Sequence, residues 1–257
     1  MTQEHTDITL TAQDGILVVT INRPDRRNAL GYAQSLAMSK AFDILESDPS
    51  LSCAVLTGAG GHFCSGMDLK QFADGRRPEV AGTGFGGLTE RQCSKPIIAA
   101  VEGYALAGGF ELVLACDLVV ASDTAVFGLP EVRRGLVAGS GGVLRLGAKI
   151  PPVQALEYLL TGESFTARQA MTYGLLNRLV PAGEALVQAM ALAQTIAANA
   201  PLAIGAIKSI LNHADDWPQA NRWREQALIV DPVLASNDAV EGARAFAEKR
   251  QPVWQGC

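Results

Sequence analysis

The residue whose surroundings most favour chemistry is Glu111, a lone carboxylate in an apolar stretch. It is the only charged residue in segment 104–116. Burial disfavours the charged form of a carboxyl group and raises its pKa, so such a group can accept and give a proton near neutral pH. A buried glutamate that pairs with an arginine and serves only the fold explains the same stretch. Glu111 taken alone therefore leaves both interpretations open.

Two glycines, Gly108 and Gly109, come just before this carboxylate, at the start of a predicted buried helix. Glycines there let a ligand approach the backbone N–H groups at the positive end of the helix dipole. Close packing of the helix against a strand is the alternative reason for two small residues. If the first reason holds, the segment supplies half of an acid–base site with an oxyanion hole beside it.

A second candidate carboxylate, Glu131, follows Pro130, a residue that suits the first turn of a helix. On this observation alone, an acid that stabilises the positive end of a helix is the better explanation. Cys64 and Ser65 are possible nucleophiles, but the sequence places no histidine to activate them, although His62 is close. A tight turn that exposes the backbone N–H of Met67 explains this segment better.

Composition excludes several classes of function. The chain has 257 residues, of which 48% are hydrophobic and 18% charged, so wholesale disorder is excluded. The net charge of −5 provides no general attraction for nucleic acid. There is no P-loop and no GxSxG motif, and segment 58–63 fails the GxGxxG pattern. Five cysteines without CxxC spacing, three scattered histidines and an N-terminus unlike a signal peptide favour a cytoplasmic protein without a metal cluster.

The elements that must position these residues alternate between strands and helices. Short apolar runs predict strands at 8–11, 16–21, 54–57, 97–101 and 118–121, with a hairpin turn at Asp14-Gly15. Periodicity predicts helices from Asn28 to about residue 45 and over 106–116, 143–149, 153–160, 166–172, 184–199, 202–212 and 236–249. This order predicts an α/β fold followed by a helical C-terminal region.

Two segments need separate treatment. Residues 71–88 contain five glycines, which is typical of a functional or disordered loop. Residues 185–207 contain no Asp, Glu, Lys or Arg, but polar residues and Pro201 interrupt them. Two helices that break at residues 199–201 explain this stretch better than a membrane span does.

Four motifs, in this order and with these spacings, resemble the enoyl-CoA hydratase/isomerase (crotonase) superfamily. They are NRPDRRNAL at 22–30, FCSGMDLK at 63–70, GYALAGGFEL at 103–112 and FGLPE at 127–131. Segment 241–252 is similar to the terminal helix of the family. The resemblance spans nearly the whole chain, and four motifs in register are more specific than any one of them.

The resemblance implies a spiral ββα catalytic core over residues 1–195 and a helical C-terminal oligomerisation region over 196–257. It implies that the N–H groups of Met67 and Gly108 form the oxyanion hole and that Glu111 and Glu131 are the catalytic pair of a hydratase. The remaining residues expected to bind the coenzyme A thioester are Arg26, Ala29, Asp68, Leu69 and Lys70. Ala107 departs from the family, because many members have a third glycine there.

The expected reaction is addition of water across the C2=C3 bond of a 2-trans-enoyl-CoA, a step of fatty-acid β-oxidation. The expectation includes no cofactor, because coenzyme A is part of the substrate. A Δ3,Δ2-enoyl-CoA isomerase and a dehydratase of a branched, aromatic or carnitine-like thioester are the alternatives within the fold. A non-enzymatic acyl-CoA-binding or RNA-binding homologue is the alternative outside it, and both glutamates and the acidic balance argue against it.

The resemblance also implies a homotrimer or a dimer of trimers, with the C-terminal helices packed between subunits. In that arrangement Phe246 and Lys249 would reach toward the thioester channel of a neighbour. No nucleic acid or membrane partner is expected. Acyl chain length, product stereochemistry and the physiological direction of the reaction do not follow from the sequence.

Overall fold

The computed structural model describes residues 7–257. Its strands are β1 Ile8–Gln13, β2 Ile16–Ile21, β3 Cys53–Gly58, β4 Ile97–Val101, β5 Tyr104–Leu106, β6 Leu118–Ser122, β7 Val126–Gly128, β8 Ser164–Thr166 and β9 Arg178–Val180. Its α-helices are α1 Tyr32–Ser47, α2 Leu69–Ala73, α3 Gly108–Ala115, α4 Gly142–Lys149, α5 Pro152–Thr161, α6 Ala167–Thr172, α7 Ala185–Ala197, α8 Pro201–His213, α9 Arg222–Leu234 and α10 Asn237–Glu248. The prediction that the N-terminus is not a signal peptide lies mostly outside these residues.

The strands form two sheets. Six strands in the order β1-β2-β3-β4-β6-β9 form the larger sheet, in which every pair except β1 and β2 is parallel. The β1–β2 hairpin is confirmed, because Gln13 pairs with Ile16 and both residues of the turn have positive φ. The smaller sheet has the order β5-β7-β8 and lies beside the start of α3. This α/β architecture confirms the predicted fold class.

Both faces of the larger sheet are covered, which explains why its strands are continuous apolar runs. Alternate residues such as Val55 and Ile98 face α7, which packs Ala189 and Ala193 against them. The residues between them face α1, α3 and the rest of the main core. The predicted boundary between residues 195 and 196 falls inside α7, and the division into two regions stays a prediction.

Two helix starts differ from the predictions. Helix α1 begins at Tyr32 rather than at Asn28, because Arg27 and Asn28 have φ of 48° and 59° and Leu30 pairs with Met67. Helix α3 begins at Gly108, since residues 104–106 form β5 instead. Helix α9 and the short strands β5, β7, β8 and β9 were not predicted, because three-residue strands give no periodic signal and Pro232 lies inside α9.

The C-terminal helices are less buried than the core. Helices α8 and α9 contain no fully buried residue, and Trp223 and Phe246 are 81% and 88% exposed. Across residues 7–257 no single helix is long and apolar enough to cross a membrane. Only α7 and α8 taken together have that length and composition, and they are bent by 108° at the predicted break. Assembly into a trimer stays a prediction.

Candidate active site

The first turn of α3 packs so closely on the preceding loop that only glycine fits at two positions. A Cβ atom at Gly109 would lie 2.1 Å from the carbonyl oxygen of Cys64. At Gly108 a Cβ atom would lie 2.7 Å from the Phe85 ring. Close packing is therefore the structural reason for Gly109. Gly108 additionally carries the first N–H of the helix, which has no partner within the helix.

The loop that carries Met67 lies directly against this N–H group. A Cβ atom at Gly66, where φ is 97°, would lie 3.0 Å from the amide nitrogen of Gly108. The neighbouring amides are used by the fold, because Leu30 N donates to Gly66 O at 2.9 Å and Asp68 N to Leu30 O at 2.8 Å. Within the described residues, the amides of Met67 and Gly108 donate to no backbone carbonyl. Two donors that no described backbone carbonyl accepts from thus lie on adjoining segments.

Glu111 lies one turn into α3 and is 3% exposed. Its Oε1 accepts a hydrogen bond from the amide of Gly142 at 2.9 Å, at the start of α4. Burial raises the pKa of this carboxyl group, while the backbone amides of Gly142 and Ser140 and the charge of Arg145 partly oppose the rise. Glu111 forms no ion pair with any described arginine. The interpretation of Glu111 as a fold-only carboxylate paired with arginine is therefore not supported.

Glu131 lies in the 3-10 turn Pro130–Arg134, where Pro130 is the first residue, as the sequence predicts. Its Oε2 is buried and accepts no hydrogen bond from the described residues. Burial raises the pKa of Glu131, the negative charge of Glu111 adds to the rise, and the resulting pKa is about 7. The backbone amide of Glu131 itself, at the start of the turn, donates to the carboxyl group and opposes part of this rise, as expected of an acid at a helix start. The unused oxygen is the feature that this simpler explanation does not cover.

The two carboxyl groups therefore lie within electrostatic reach of each other. Glu111 influences the pKa of Glu131 directly. Together with the amide of Gly108 at the start of α3 and that of Met67 on the adjoining loop, the buried Glu111 and the partly buried Glu131 form one set of donors and acids. Such a set can bind a polarised carbonyl oxygen and exchange protons beside it.

The residues expected to bind coenzyme A lie on two segments that meet beside Met67. Arg26 is exposed at the end of a 3-10 turn, and Leu69 and Lys70 are exposed in the first turn of α2. Ala29 and Asp68 are buried, with 9% and 7% exposure. The Asp68 carboxylate caps α2 by accepting from Lys70 N at 3.2 Å, so its side chain already serves the fold.

Sequence reasoning missed Arg23, which connects those two segments. Its guanidinium donates to the carbonyl oxygen of Ala29 and forms an ion pair with Asp68 at 3.4 Å. The residues that hold the Glu111 carboxylate, Ser140 and Gly142, were also missed. The available signal was the run Gly139-Ser-Gly-Gly at the start of α4, which resembles the glycine pair at the start of α3.

Cys64 and His62, the other candidate groups beside the site, are held by the packing of the fold. Burial raises the pKa of the Cys64 thiol to about 12, so its thiolate is disfavoured. His62 stacks on Tyr104, with 4.8 Å between ring centroids, and its Nδ1 accepts from the amide of Tyr104. Among residues 7–257 no group of three or more His, Cys, Asp or Glu is arranged to hold a metal ion.

The α/β fold and the four sequence motifs point to the crotonase class, and the comparisons with known proteins agree. The model of the family described as "Enoyl-CoA hydratase/isomerase" matches residues 11–257. The chain belongs to this family. A carnitinyl-CoA dehydratase of Proteus mirabilis is 44% identical over 255 residues, which cover 96% of this chain and 97% of the relative.

Solved structures give the same result. An enoyl-CoA hydratase from Mycobacterium tuberculosis superposes with a TM-score of 0.96 at 51% identity, covering 98% of this chain and 99% of that one. A carnitinyl-CoA hydratase from Mycobacterium avium gives a TM-score of 0.79 at 44% identity, covering 99% and 100%. The chain is therefore an enzyme of the crotonase superfamily, an acyl-CoA hydratase or dehydratase.

Proposed function

We propose that the protein is a 2-enoyl-CoA hydratase that converts a 2-trans-enoyl-CoA into the 3-hydroxyacyl-CoA. The observation that carries the proposal is the pair of buried, mutually interacting carboxyl groups next to the two available amides. The N–H groups of Met67 and Gly108 bind the thioester oxygen and stabilise the negative charge that develops on it. One such donor is worth about 3 to 4 kcal/mol of transition-state stabilisation.

The two acids then take different parts. Glu111 is the base. Burial raises the pKa of its carboxyl group, but the backbone amides of Gly142 and Ser140 and the charge of Arg145 oppose this rise and favour the ionised form. Glu111 accepts a proton from the water whose oxygen attacks C3. Glu131 is the acid, because its pKa of about 7 keeps a large share of it protonated near neutral pH. Glu131 donates its own proton to C2. The electron pair on the thioester oxygen re-forms the carbonyl bond, and the C1–C2 pair of the enolate binds the proton. Glu111 keeps the water proton until it is released after the reaction.

The remaining features belong to the same proposal. Arg26, Ala29, Asp68, Leu69 and Lys70 bind the coenzyme A portion, Asp68 through its backbone. No further cofactor is required, because hydrogen bonds to the thioester carbonyl oxygen already polarise the conjugated C2=C3 bond. The enzyme works in the cytoplasm as a homo-oligomer, in fatty-acid β-oxidation or a related pathway, without a nucleic acid or membrane partner.

The direct test is hydration of crotonyl-CoA, followed as the loss of absorbance of the conjugated enoyl thioester. Wild-type enzyme should hydrate it, and Glu111→Gln and Glu131→Gln should each lower kcat by about 10² or more. Glu102→Gln is the matched control, because Glu102 also accepts from backbone amides, at Gly183 and Ala185, away from the site. An enzyme that leaves crotonyl-CoA unchanged but shifts a 3-enoyl-CoA to the 2-enoyl isomer would be an isomerase instead. Thioesters from C4 to C16 then define chain length.

A second candidate function is dehydration or hydration of a thioester whose acyl chain carries a positive charge, as carnitinyl-CoA does. Relatives at 44% identity have carnitinyl-CoA dehydratase in their names. Within this chain, the exposed Glu79 is close enough to raise the pKa of Glu111. It has no ion pair with any described residue, so its charge is available to a cationic group.

Glu79→Gln separates the two candidates. If the acyl group is cationic, this variant should lower kcat/KM for carnitinyl-CoA by about three- to tenfold and leave 3-hydroxybutyryl-CoA unaffected. The neutral substrate is the internal control. Equal effects on both substrates, or a wild-type preference for the neutral one, would exclude the cationic candidate.

A further inference from the structure

Arg145 on α4 connects two segments that the chemistry depends on. Its Nη2 donates to the carbonyl oxygen of Thr89 at 2.6 Å, and its Nη1 contacts that of Ser140 at 3.4 Å. The guanidinium also lies over Gly141, where a Cβ atom would come within 2.0 Å of Nη1. Gly141 has a φ of 96°, so the loop conformation and the close approach both require glycine there.

The segment that contains Thr89 leads to Gly108, one of the two amide donors of the site. Thr89 is buried, and its Oγ1 accepts from the amide of Phe85 at 2.9 Å. The Phe85 ring packs on Gly108, whose amide is one of the two available donors. The Thr89 carbonyl is thus the end of a short chain of contacts that leads to Gly108.

The other connected segment holds the base. Ser140 and Gly142 direct their amides at the Glu111 carboxylate, and a Cβ atom at Gly142 would lie 2.9 Å from Glu111 Oε1. A shift of this loop therefore moves the carboxylate with it. Because Arg145 binds both segments, it fixes the distance between the two halves of the site.

Charge adds to this geometric role. Within residues 7–257 Arg145 has no ion pair, and burial lowers the pKa of its guanidinium, while Glu111, Cys116 and Glu90 oppose that fall. Lys149 is the other nearby cation. Arg145 lowers and Glu79 raises the pKa of Glu111. Glu131 is close enough for the charge of Glu111 to raise its pKa in turn. Arg145 is the positive group among them that stabilises ionised Glu111.

We propose that Arg145 is a positioning residue for the reaction. It does not touch the substrate, but it fixes the Ser140–Gly142 loop against Thr89 and places a positive charge near the Glu111 carboxylate. The proposal rests on the proposed function, in which Glu111 is the base.

The test compares Arg145→Gln, Arg145→Lys and a matched control in the wild-type background. Arg178→Gln is the control, because Arg178 is also half-buried and donates to a backbone carbonyl, that of Gln188 at 3.2 Å, on the α7 side of the sheet. For each protein, kcat and KM for crotonyl-CoA are measured from pH 5 to pH 9, together with the urea midpoint of unfolding.

Arg145→Gln should lower kcat about tenfold or more, leave KM within about twofold, and move the acidic limb of the kcat profile up by about one pH unit. The limb moves up because Glu111 without the nearby cation ionises at higher pH. Arg145→Lys should keep the limb near its wild-type position but still lower kcat, because lysine carries the charge without the planar fork. Arg178→Gln should leave both limb and kcat unchanged. A purely structural role for Arg145 would lower its urea midpoint with an unmoved limb, and that result overturns the proposal.

A second readout separates this inference from the proposed function. In protein with 13C-labelled glutamate, the resonance assigned to Glu111 by its loss in Glu111→Gln can be titrated without any substrate. Its pKa should be higher in Arg145→Gln than in wild type and unchanged in Arg178→Gln. An equal pKa in all three proteins overturns the Arg145 inference even if crotonyl-CoA is hydrated. Failure of the wild type to hydrate crotonyl-CoA overturns only the proposed function.

Discussion

Glu111 and Glu131 have the same side chain but lie in very different surroundings. Glu111 lies within a buried α-helix and accepts from a backbone amide at 2.9 Å. Glu131 lies in a short 3-10 turn, and its buried Oε2 accepts nothing from the described residues. Burial raises the pKa of both groups, but the opposing donors differ. In the proposed mechanism, this difference in backbone surroundings gives two identical acids opposite protonation roles.

The largest effect expected from this comparison comes from crowding the donor of Glu111. Gly142→Ala places a Cβ atom 2.9 Å from Glu111 Oε1 and 2.9 Å from the Ala138 Cβ. The carboxylate has to move, and a displacement of about 1 Å at a reacting group costs about 10² in rate. We expect kcat for crotonyl-CoA to fall by about that factor.

Gly147→Ala is the matched control for this variant. It lies on the same helix α4, and a Cβ atom there meets nothing within 4 Å. It should keep wild-type kcat and gain up to about 1 kcal/mol of stability, because alanine favours the helix. Wild-type kcat in Gly142→Ala would show that the amide of residue 142 does not position the base.

A second, smaller effect concerns Glu131 and stability against pH. Its pKa is raised from 4.5 unfolded to about 7 folded, so the folded protein binds more protons between these values. Stability is therefore greatest below about pH 4.5 with respect to this group and is lost as pH rises through about 7. Because the Glu131 side chain is partly exposed, we expect a loss of about 1 to 2 kcal/mol, which is less than the full pKa shift would correspond to.

Glu131→Gln removes this titration and is the measurement that isolates it. The free energy of unfolding of the variant minus that of the wild type should increase between pH 4.5 and pH 7.5 and then level off. Other titrating groups cancel in the difference. A difference that stays constant with pH would mean that Glu131 is solvated and has an ordinary pKa. The comparison between the two acids would then fail.

The sequence predicted the positions that strong local signals define. The apolar runs of β3, β4 and β6 and the Asp14-Gly15 turn were found because continuous apolar runs and turn residues are local signals. The placement of Glu111 beside Glu131 followed only from resemblance, since no local pattern brings α3 and a later 3-10 turn together.

The partners of Glu111 and Asp68 could not be predicted for the same reason. Arg23 reaches Asp68 across 45 positions, and Gly142 reaches Glu111 across 31. Such contacts depend on how the sheet stacks its loops and not on spacing along the chain. The glycine runs at the starts of α3 and α4 were the available sequence signal for these contacts. The sequence analysis used only the run at α3.

The smallest expected effect concerns backbone strain on the Glu111 side, where Ala107 departs from the family pattern. Ala107 has φ of 52° and ψ of −131°, a region that residues with a Cβ atom rarely adopt. Its carbonyl accepts from the amides of Phe110 and Glu111, so the first turn of α3 holds it there. Ala107→Gly should raise stability by up to about 1 kcal/mol in urea unfolding, after the extra freedom of unfolded glycine is subtracted.

Ala198→Gly is the matched control for that substitution, because Ala198 ends α7 with an ordinary φ of −74°. There the same change should lower stability by up to about 1 kcal/mol, since no strain is relieved. Stability changes of opposite sign in the two variants would show that backbone strain is stored at Ala107, just before Gly108. The same sign in both would show that α3 starts without strain, and the departure at Ala107 would then be neutral. Because the backbone N–H of Gly108 keeps its place in either case, kcat for Ala107→Gly should stay within about twofold of the wild type.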